Sequence, residues 1–377
     1  MEVSDIYMAR CLELAARGRG NVAPNPMVGA VIVCDGRVIG EGYHRCYGGA
    51  HAEVNAIASV KDESLLRKST LYVNLEPCSH YGKTPPCADL IIRKGIPRVV
   101  VACLDPYSEV KGRGIKMLRE AGVEVITGGI KNGAVDNVVM EREAEALNRF
   151  FITAHKRRRP YIILKWAQSK DGFIDQTRKD KSQKPVQLST PVTRMIVHKL
   201  RSEVQAIMVG TNTAILDDPS LTVRYWAGNS PVRILIDRNL RVSDNMQLFD
   251  MTQRTIVYTN KKNNDAQPDF QKKKNIEYVK MNDSIHFLRN IAADLYEKNI
   301  NSLLVEGGAC LHRSFIDECL WDEAFVEISH VCLNNGVKAA RILSEKGAQL
   351  ADEYSVFGSA LQAAKPSVIE HYINNSI

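Results

Sequence analysis

Apolar positions recur at helical intervals over residues 6–17, where Met8, Cys11, Leu12 and Ala15 fall on one face, and the spacing predicts a first helix. Residues 28–33 and 37–43 read as a strand pair, with Asp35-Gly36 between them as the hairpin turn. The next elements are a helix opening at His51 and running to about residue 60, a short buried strand over 70–75, and a helix beginning at Glu76-Pro77-Cys78. A strand over 99–104, a helix over 114–121 and a strand over 123–126 follow. Strands and helices alternating in this way predict helices packed over a mixed sheet.

The pattern then changes. Residues 141–151 predict a connecting helix, and the basic run from His155 to Arg159 ends in Pro160, which cannot continue one. A boundary near residue 150 divides the chain into units of 1–150 and 151–377. In the second unit the apolar runs predict strands over 161–166, 206–209, 232–237, 255–259 and 302–305, and an amphipathic helix over 190–201. The last strand runs into Glu306-Gly307-Gly308 and a helix, a turn that lets backbone N–H groups approach a phosphate. A plain tight turn is the competing reading. Residues 260–275, rich in Lys, Asn and Asp, read as a surface excursion, and Asn334-Asn335-Gly336-Val337 as a loop.

Length and composition fit this division. A chain of 377 residues is long enough for two domains with a core each, and 45% hydrophobic and 25% charged residues are ordinary for globular proteins. No apolar run approaches the roughly 20 residues that span a bilayer, and the first residues lack the basic and apolar segments of a signal peptide. These features predict a cytoplasmic protein with no membrane partner. Nine cysteines scattered over so long a chain suit thiols or metal ligands better than a disulfide framework. The net charge of +7 suits an anionic substrate and is also compatible with weak nucleic-acid binding.

The candidate chemistry begins at His51-Ala52-Glu53 and continues at Pro77-Cys78 and Cys87. One histidine and two cysteines can hold zinc and leave the fourth tetrahedral position open, while Glu53 is placed to move a proton. This is the arrangement of zinc deaminases of amino-substituted bases. A closed structural site completed by Cys103 or His80 is the alternative. The glycines of Gly18-Arg19-Gly20 follow a helix where a dinucleotide motif must follow a strand, so that reading is rejected.

Eight residues separate Cys78 from Cys87, more than in nucleoside and tRNA deaminases. With Pro24-Asn25-Pro26-Met27-Val28-Gly29, Gly42-Tyr43-His44, Leu75-Glu76-Pro77-Cys78-Ser79-His80 and Thr84-Pro85-Pro86-Cys87, the first half closely resembles the deaminase half of the bifunctional riboflavin-biosynthesis deaminase/reductases. Residues 165–172, 198–201, 210–213, 217–224 and 305–308 resemble the reductase half of the same family. The resemblance implies a cytidine-deaminase-like α/β/α sandwich followed by a dihydrofolate-reductase-like α/β domain, a homodimer, and a phosphorylated pyrimidine as substrate. It implies zinc on His51, Cys78 and Cys87, proton shuttling by Glu53, and the pyrimidine and its ribose phosphate near Asn25, His44, His80, Lys83 and Asp105. From sequence alone, an exposed loop lysine is the plainer reading of Lys83. In the second half it implies NADPH near Ala167, Thr213, Asp217 and Gly308. Substrate is implied near Lys165, Arg201, Leu221, Arg224 and Glu306, with Lys165 and Glu306 flanking the carbon that accepts hydride.

The chain departs from the family in three places. Tyr107 stands where Asn is usual, Lys170 interrupts the Ser-Leu-Asp-Gly pattern, and residues 184–190 replace a Gly-x-Ser-x-Trp-Ile stretch, leaving Pro185 and Gln187 where the serine and tryptophan contacts are expected. These departures admit an active deaminase joined to a weak or mainly structural reductase half. A nucleic-acid base deaminase is disfavoured, because the basic run carries no interleaved aromatics for stacking and the cysteine spacing is wrong.

Overall fold

A computed structural model of the chain describes residues 3–79, 85–106, 112–127, 138–261, 275–282, 285–342, 347–356 and 366–375. The chain divides into two compact units, residues 1–158 and 159–377.

The first unit contains α1 (Val3–Ala16), β1 (Gly29–Cys34), β2 (Arg37–Tyr43), α2 (Ala52–Ala58), β3 (Thr70–Leu75), α3 (Cys87–Lys94), β4 (Arg98–Cys103), α4 (Arg113–Glu120), β5 (Glu124–Thr127), α5 (Val138–Leu147) and α6 (Arg149–Arg157). Among the described residues its sheet has five strands in the order β2-β1-β3-β4-β5. β1 is antiparallel to both neighbours, and β3, β4 and β5 are parallel. Asp35 and Gly36 take the positive φ angles that a two-residue hairpin turn requires. The two-residue period of the strands sends Ala30, Ile32, Val99 and Val101 to a core shared with α2, α3 and α4. Val31, Val33, Val100 and Ala102 face the opposite core, with α1, Ala144 of α5 and Phe151 of α6. The result is the α/β/α sandwich expected from sequence.

Two expectations need correction. The predicted helix at Glu76-Pro77-Cys78 does not form: this segment leaves β3 without regular structure, and α3 starts only at Cys87. Pro77 disfavours helical backbone at Glu76. The Glu76 carboxylate is also engaged elsewhere, accepting from the backbone N–H groups of Asp105, Gly112, Gly114 and Ile115. The predicted connecting helix is two helices, because Asn148 turns its side chain inward to bond both the N–H and the C=O of Met27.

The second unit contains β6 (Tyr161–Gln168), β7 (Phe173–Asp175), α7 (Pro191–Glu203), β8 (Ala206–Gly210), α8 (Thr211–Asp217), β9 (Val232–Ile236), β10 (Thr255–Thr259), β11 (Ile276–Lys280), α9 (Phe287–Glu297), β12 (Ser302–Val305), α10 (Ala309–Asp317), β13 (Glu323–Ile328), β14 (Val337–Lys338), β15 (Ala348–Val356) and β16 (Ser367–Asn374). Among the described residues the main sheet runs β11-β10-β9-β8-β12-β6-β13-β16-β15. The first seven of these strands are mutually parallel, and β16 and β15 close the far edge antiparallel. Ile162, Leu164, Met208, Leu303 and Val305 of the central strands pack against Phe287, Leu288 and Ile291 of α9 and Phe315 of α10. Thr190 caps α7 by accepting from Thr193 N–H, and Pro191 occupies its first position. The loop around Asn334 leads into β14, which pairs with β7. No helix among the described residues is long and apolar enough to cross a membrane.

Candidate active sites

The first site is assembled where chain turns meet helix starts. His51 is the residue before α2, in extended backbone, and Cys87 is the first residue of α3. Cys78 arrives from the irregular segment after β3, held by its carbonyl accepting from Ala88 N–H and its sulfur from Cys87 N–H at 3.3 Å. The Nδ1 atom of His51 lies 3.6 Å from Cys78 Sγ and 3.4 Å from Cys87 Sγ. Ligand atoms of the three residues all lie within 4.8 Å of one another. Cys103 stands apart with its thiol on the Asn74 carbonyl, so it does not close the site; His80 lies outside the described residues.

The electrostatics suit a soft divalent cation. The Cys87 thiol and the His51 ring hold Cys78 well below the ordinary thiol range, which favours its thiolate form. Sharing a proton with Cys78, together with burial, pushes Cys87 upward, and the Cys78 sulfur raises His51. An imidazole and two sulfurs, drawn together in this way, form a donor set that fits zinc.

Glu53, in the first turn of α2, is 3% exposed, and burial followed by the charge of Cys78 raises its carboxyl to about 7. His44 is buried, and burial lowers its pKa. Its Nδ1–H donates to the Ala50 carbonyl at 3.0 Å and its Nε2 accepts from the Asn25 amide at 3.2 Å. The His44 and His51 rings meet edge to face, with centroids 5.5 Å apart. The structure thus gathers His51, Cys78 and Cys87, and sets His44 and Asn25 alongside His51. Asp105 is buried next to Glu76, to which its N–H donates. Sequence reading treats Glu76 only as part of a motif, and its acidic character just before Pro-Cys is the available signal. Lys83 and Tyr107 lie outside the described residues.

In the second unit Arg201 of α7 forks onto Glu306, with N···O distances of 2.8 and 2.6 Å, and gives a third bond to the Thr222 carbonyl. Burial pushes the half-buried Glu306 carboxyl up, but Arg201, with a smaller contribution from Lys165, outweighs it and holds the group below its usual range. Arg224 is exposed, its guanidinium on Ser220, while its N–H donates to His198 Nδ1 at 2.9 Å. Leu221 is buried with a positive φ of 51°, a backbone setting that a branched side chain rarely takes.

A cleft of about 460 Å³ lies over the ends of β8, β9 and β12, lined by Gly210 to Thr213, Ile236 to Asn239, Arg241 and the Gly307-Gly308 turn. It brings together Thr213 and Gly308: a side chain at Gly308, whose φ is 70°, would begin 3.0 Å from Thr213 Oγ1. Ala167 and Asp217 are not among its lining residues. Asp217 is instead gripped by Arg178, which also binds Asp175 at 2.5 Å and the Leu216 carbonyl at 3.0 Å. Sequence reading missed Arg178 because it sits in a polar insertion with no motif. Arg238 and Arg241 follow β9 in a turn that carries no motif. The altered stretch before α7 is ordered by Val186 N–H on Asp175, Gln187 on the Ser189 carbonyl, and Ser189 Oγ on Glu327 at 2.7 Å.

Comparison with known proteins bears on both units. Residues 1–103 match the cytidine and deoxycytidylate deaminase zinc-binding region, and residues 160–351 match the RibD C-terminal domain. The chain is 40% identical over 338 residues to the riboflavin biosynthesis protein RibD of Aquifex aeolicus, covering 89% of each chain. It is 34% identical to RibD of Escherichia coli, again covering 89% of both. Among solved structures it is similar to a diaminohydroxyphosphoribosylaminopyrimidine deaminase/5-amino-6-(5-phosphoribosylamino)uracil reductase from Thermotoga maritima, with 34% identity, a TM-score of 0.82 and 99% of each chain covered. The sandwich is therefore cytidine-deaminase-like and the second unit is the reductase type, as the motifs implied.

Proposed function

Because the chain belongs to the RibD family of riboflavin-biosynthesis proteins, we propose that its residues divide two consecutive reactions between the two sites just described. The protein is a bifunctional zinc-dependent deaminase and NADPH-dependent reductase. At the first site a phosphorylated diaminopyrimidine loses its amino group to water. His51, Cys78 and Cys87 would hold zinc, which when bound acts as a Lewis acid and lowers the pKa of water to roughly 7. Glu53 takes a proton from the attacking water and delivers it to the departing nitrogen, so that oxygen replaces nitrogen on the ring carbon and ammonia leaves. A carboxyl near neutrality can do both. His44 and Asn25, hydrogen-bonded to each other, bound the place of the pyrimidine, with Asp105, His80 and Lys83 completing the substrate contacts.

At the second site NADPH supplies the hydride that converts the ribosyl group of the deaminated product to ribityl. Thr213 and Gly308 belong to its cleft, with Ala167 and Asp217 as further contacts. Lys165 and Glu306 flank the sugar carbon, and Leu221 packs near it. Arg201 is committed to Glu306, so the exposed Arg224 is the arginine suited to meet the substrate phosphate. Nine free cysteines support a reducing compartment, the cytoplasm, and the family resemblance supports a homodimer acting on a small molecule rather than on nucleic acid.

The observation that carries the deaminase reading is the His-Cys-Cys triad with a buried, near-neutral Glu53 beside it. Glu53→Gln is expected to keep its zinc, measured by metal analysis, and to lose ammonia release by about 100-fold or more. Ammonia release at the native rate would remove Glu53 from the reaction.

A further inference from the structure

We propose that Glu327 is a positioning residue of the reductase centre, which fixes the Lys165 ammonium and ties the loop before α7 to it. The inference rests on the reading of Lys165 as a reductase residue. Glu327 lies on β13, where its backbone pairs with Ala167 of β6, and only 1% of its side chain is exposed. Its Oε2 lies 3.6 Å from Lys165 Nζ and accepts from Ser189 Oγ at 2.7 Å. Its Oε1 is buried and has no hydrogen-bond partner among the described residues. A buried carboxylate costs several kcal/mol unless it is paired and hydrogen-bonded. A carboxylate kept at such a position, half satisfied, is the mark of a group with work to do.

The surroundings say what that work is. Glu327 and Lys165 together line a cavity of about 140 Å³ between α7 and the sheet, with Ile196, Val197, Leu200, Phe325, Tyr354 and Ile369 forming most of the rest of its wall. Where the pair is buried and much of the wall is apolar an ion pair is weakly screened, so the carboxylate sets where a four-carbon lysine stem points its charge. Glu306, on the Arg201 side, also feels Lys165, and so does His312 of α10; Lys199 and Glu203 of α7 border the same cavity. Glu306 is already neutralised by the fork from Arg201, which leaves Glu327 as the carboxylate that pairs with Lys165. Through Ser189 the same oxygen anchors the stretch that departs most from the family pattern.

The test uses the full-length zinc-loaded enzyme and three readouts: reductase kcat and KM, NADPH Kd by fluorescence titration, and thermal melting. Glu327→Gln keeps the shape and removes the charge. It is expected to lower reductase kcat about tenfold through loss of lysine orientation, with NADPH Kd unchanged. Lys165→Met leaves Glu327 as an unpaired buried carboxylate, so adding Glu327→Gln to that variant should raise its Tm, whereas a residue that merely fills space would show no such reversal. Should Glu327→Gln fail to bind NADPH, Glu327→Asp carries the test, with lowered kcat at native NADPH affinity expected. A reductase kcat within twofold of native in the variant that binds NADPH, or no recovery of Tm in the double variant, overturns the proposal. Full reductase activity in Lys165→Met overturns the reading on which it rests, and is distinguishable because it appears without any change at 327.

Discussion

His51, Glu53, Cys78 and Cys87 were legible in the sequence because zinc chemistry restricts residue type and order, and a ligand set drawn from two short motifs in the right order seldom arises by chance. Residues that act through charge in a folded context leave no such trace. Glu327 reads as one polar position in an edge of apolar sequence, and Arg178 as one of several basic residues in an insertion; only the strand register and the returning loop give them partners. His312 is another such residue. It is 1% exposed beside Trp166, its Nε2–H donates to the Val305 carbonyl at 3.0 Å, and burial lowers its pKa to about 4 from an ordinary 6.5. The sign follows directly. Between those values the unfolded chain binds a proton that the folded chain refuses, so stability is full above about 6.5 and falls on acidification. This residue should contribute a slope of up to about 1.4 kcal/mol per pH unit between roughly pH 6 and 4. Melting curves of native protein and His312→Gln should therefore diverge at pH 7 and converge toward pH 4, and a constant separation would contradict the assignment.

At the scale of elements, strong periodicity or turn chemistry made most segments readable: the Asp35-Gly36 hairpin, the buried strands β3, β8 and β12, and α7 with its Thr190-Pro191 start. The helix expected at Glu76 failed because tertiary hydrogen bonds to four distant amides, and the following proline, outweighed a local motif. The strands β13, β15 and β16 were not foreseen, since they mix charged and apolar residues, and β15, at the sheet edge, is largely exposed. The Glu76 device has a testable consequence. Gly114, where α4 begins, sits so close to Pro77 that an added Cβ would lie 2.0 Å from its carbonyl oxygen. Gly114→Ala should therefore push back the segment carrying Cys78, costing about 1–3 kcal/mol in stability and weakening zinc retention on dialysis against a chelator. Native melting together with native zinc retention would mean that the segment yields freely.

For the whole molecule, the two compact units meet at residues 158 and 159, a few residues beyond the boundary near 150 read from the sequence, because α6 packs with the first unit. Composition and charge bounded the class and went no further. The reductase half was the harder part to read, because NADPH brings its own reactivity and asks the protein mainly for a shaped cleft and placed charges. Such a cleft has no fixed residue code, and here the altered 184–190 stretch is rebuilt on Asp175 and Glu327 rather than lost. The central claim, two sites acting in sequence on one pyrimidine, is tested most directly by giving the zinc-loaded protein the undeaminated substrate and NADPH, and following ammonia and NADPH absorbance together. Ammonia released first, with an equal amount of NADPH then consumed, is the predicted result; ammonia without NADPH loss would contradict a working second site.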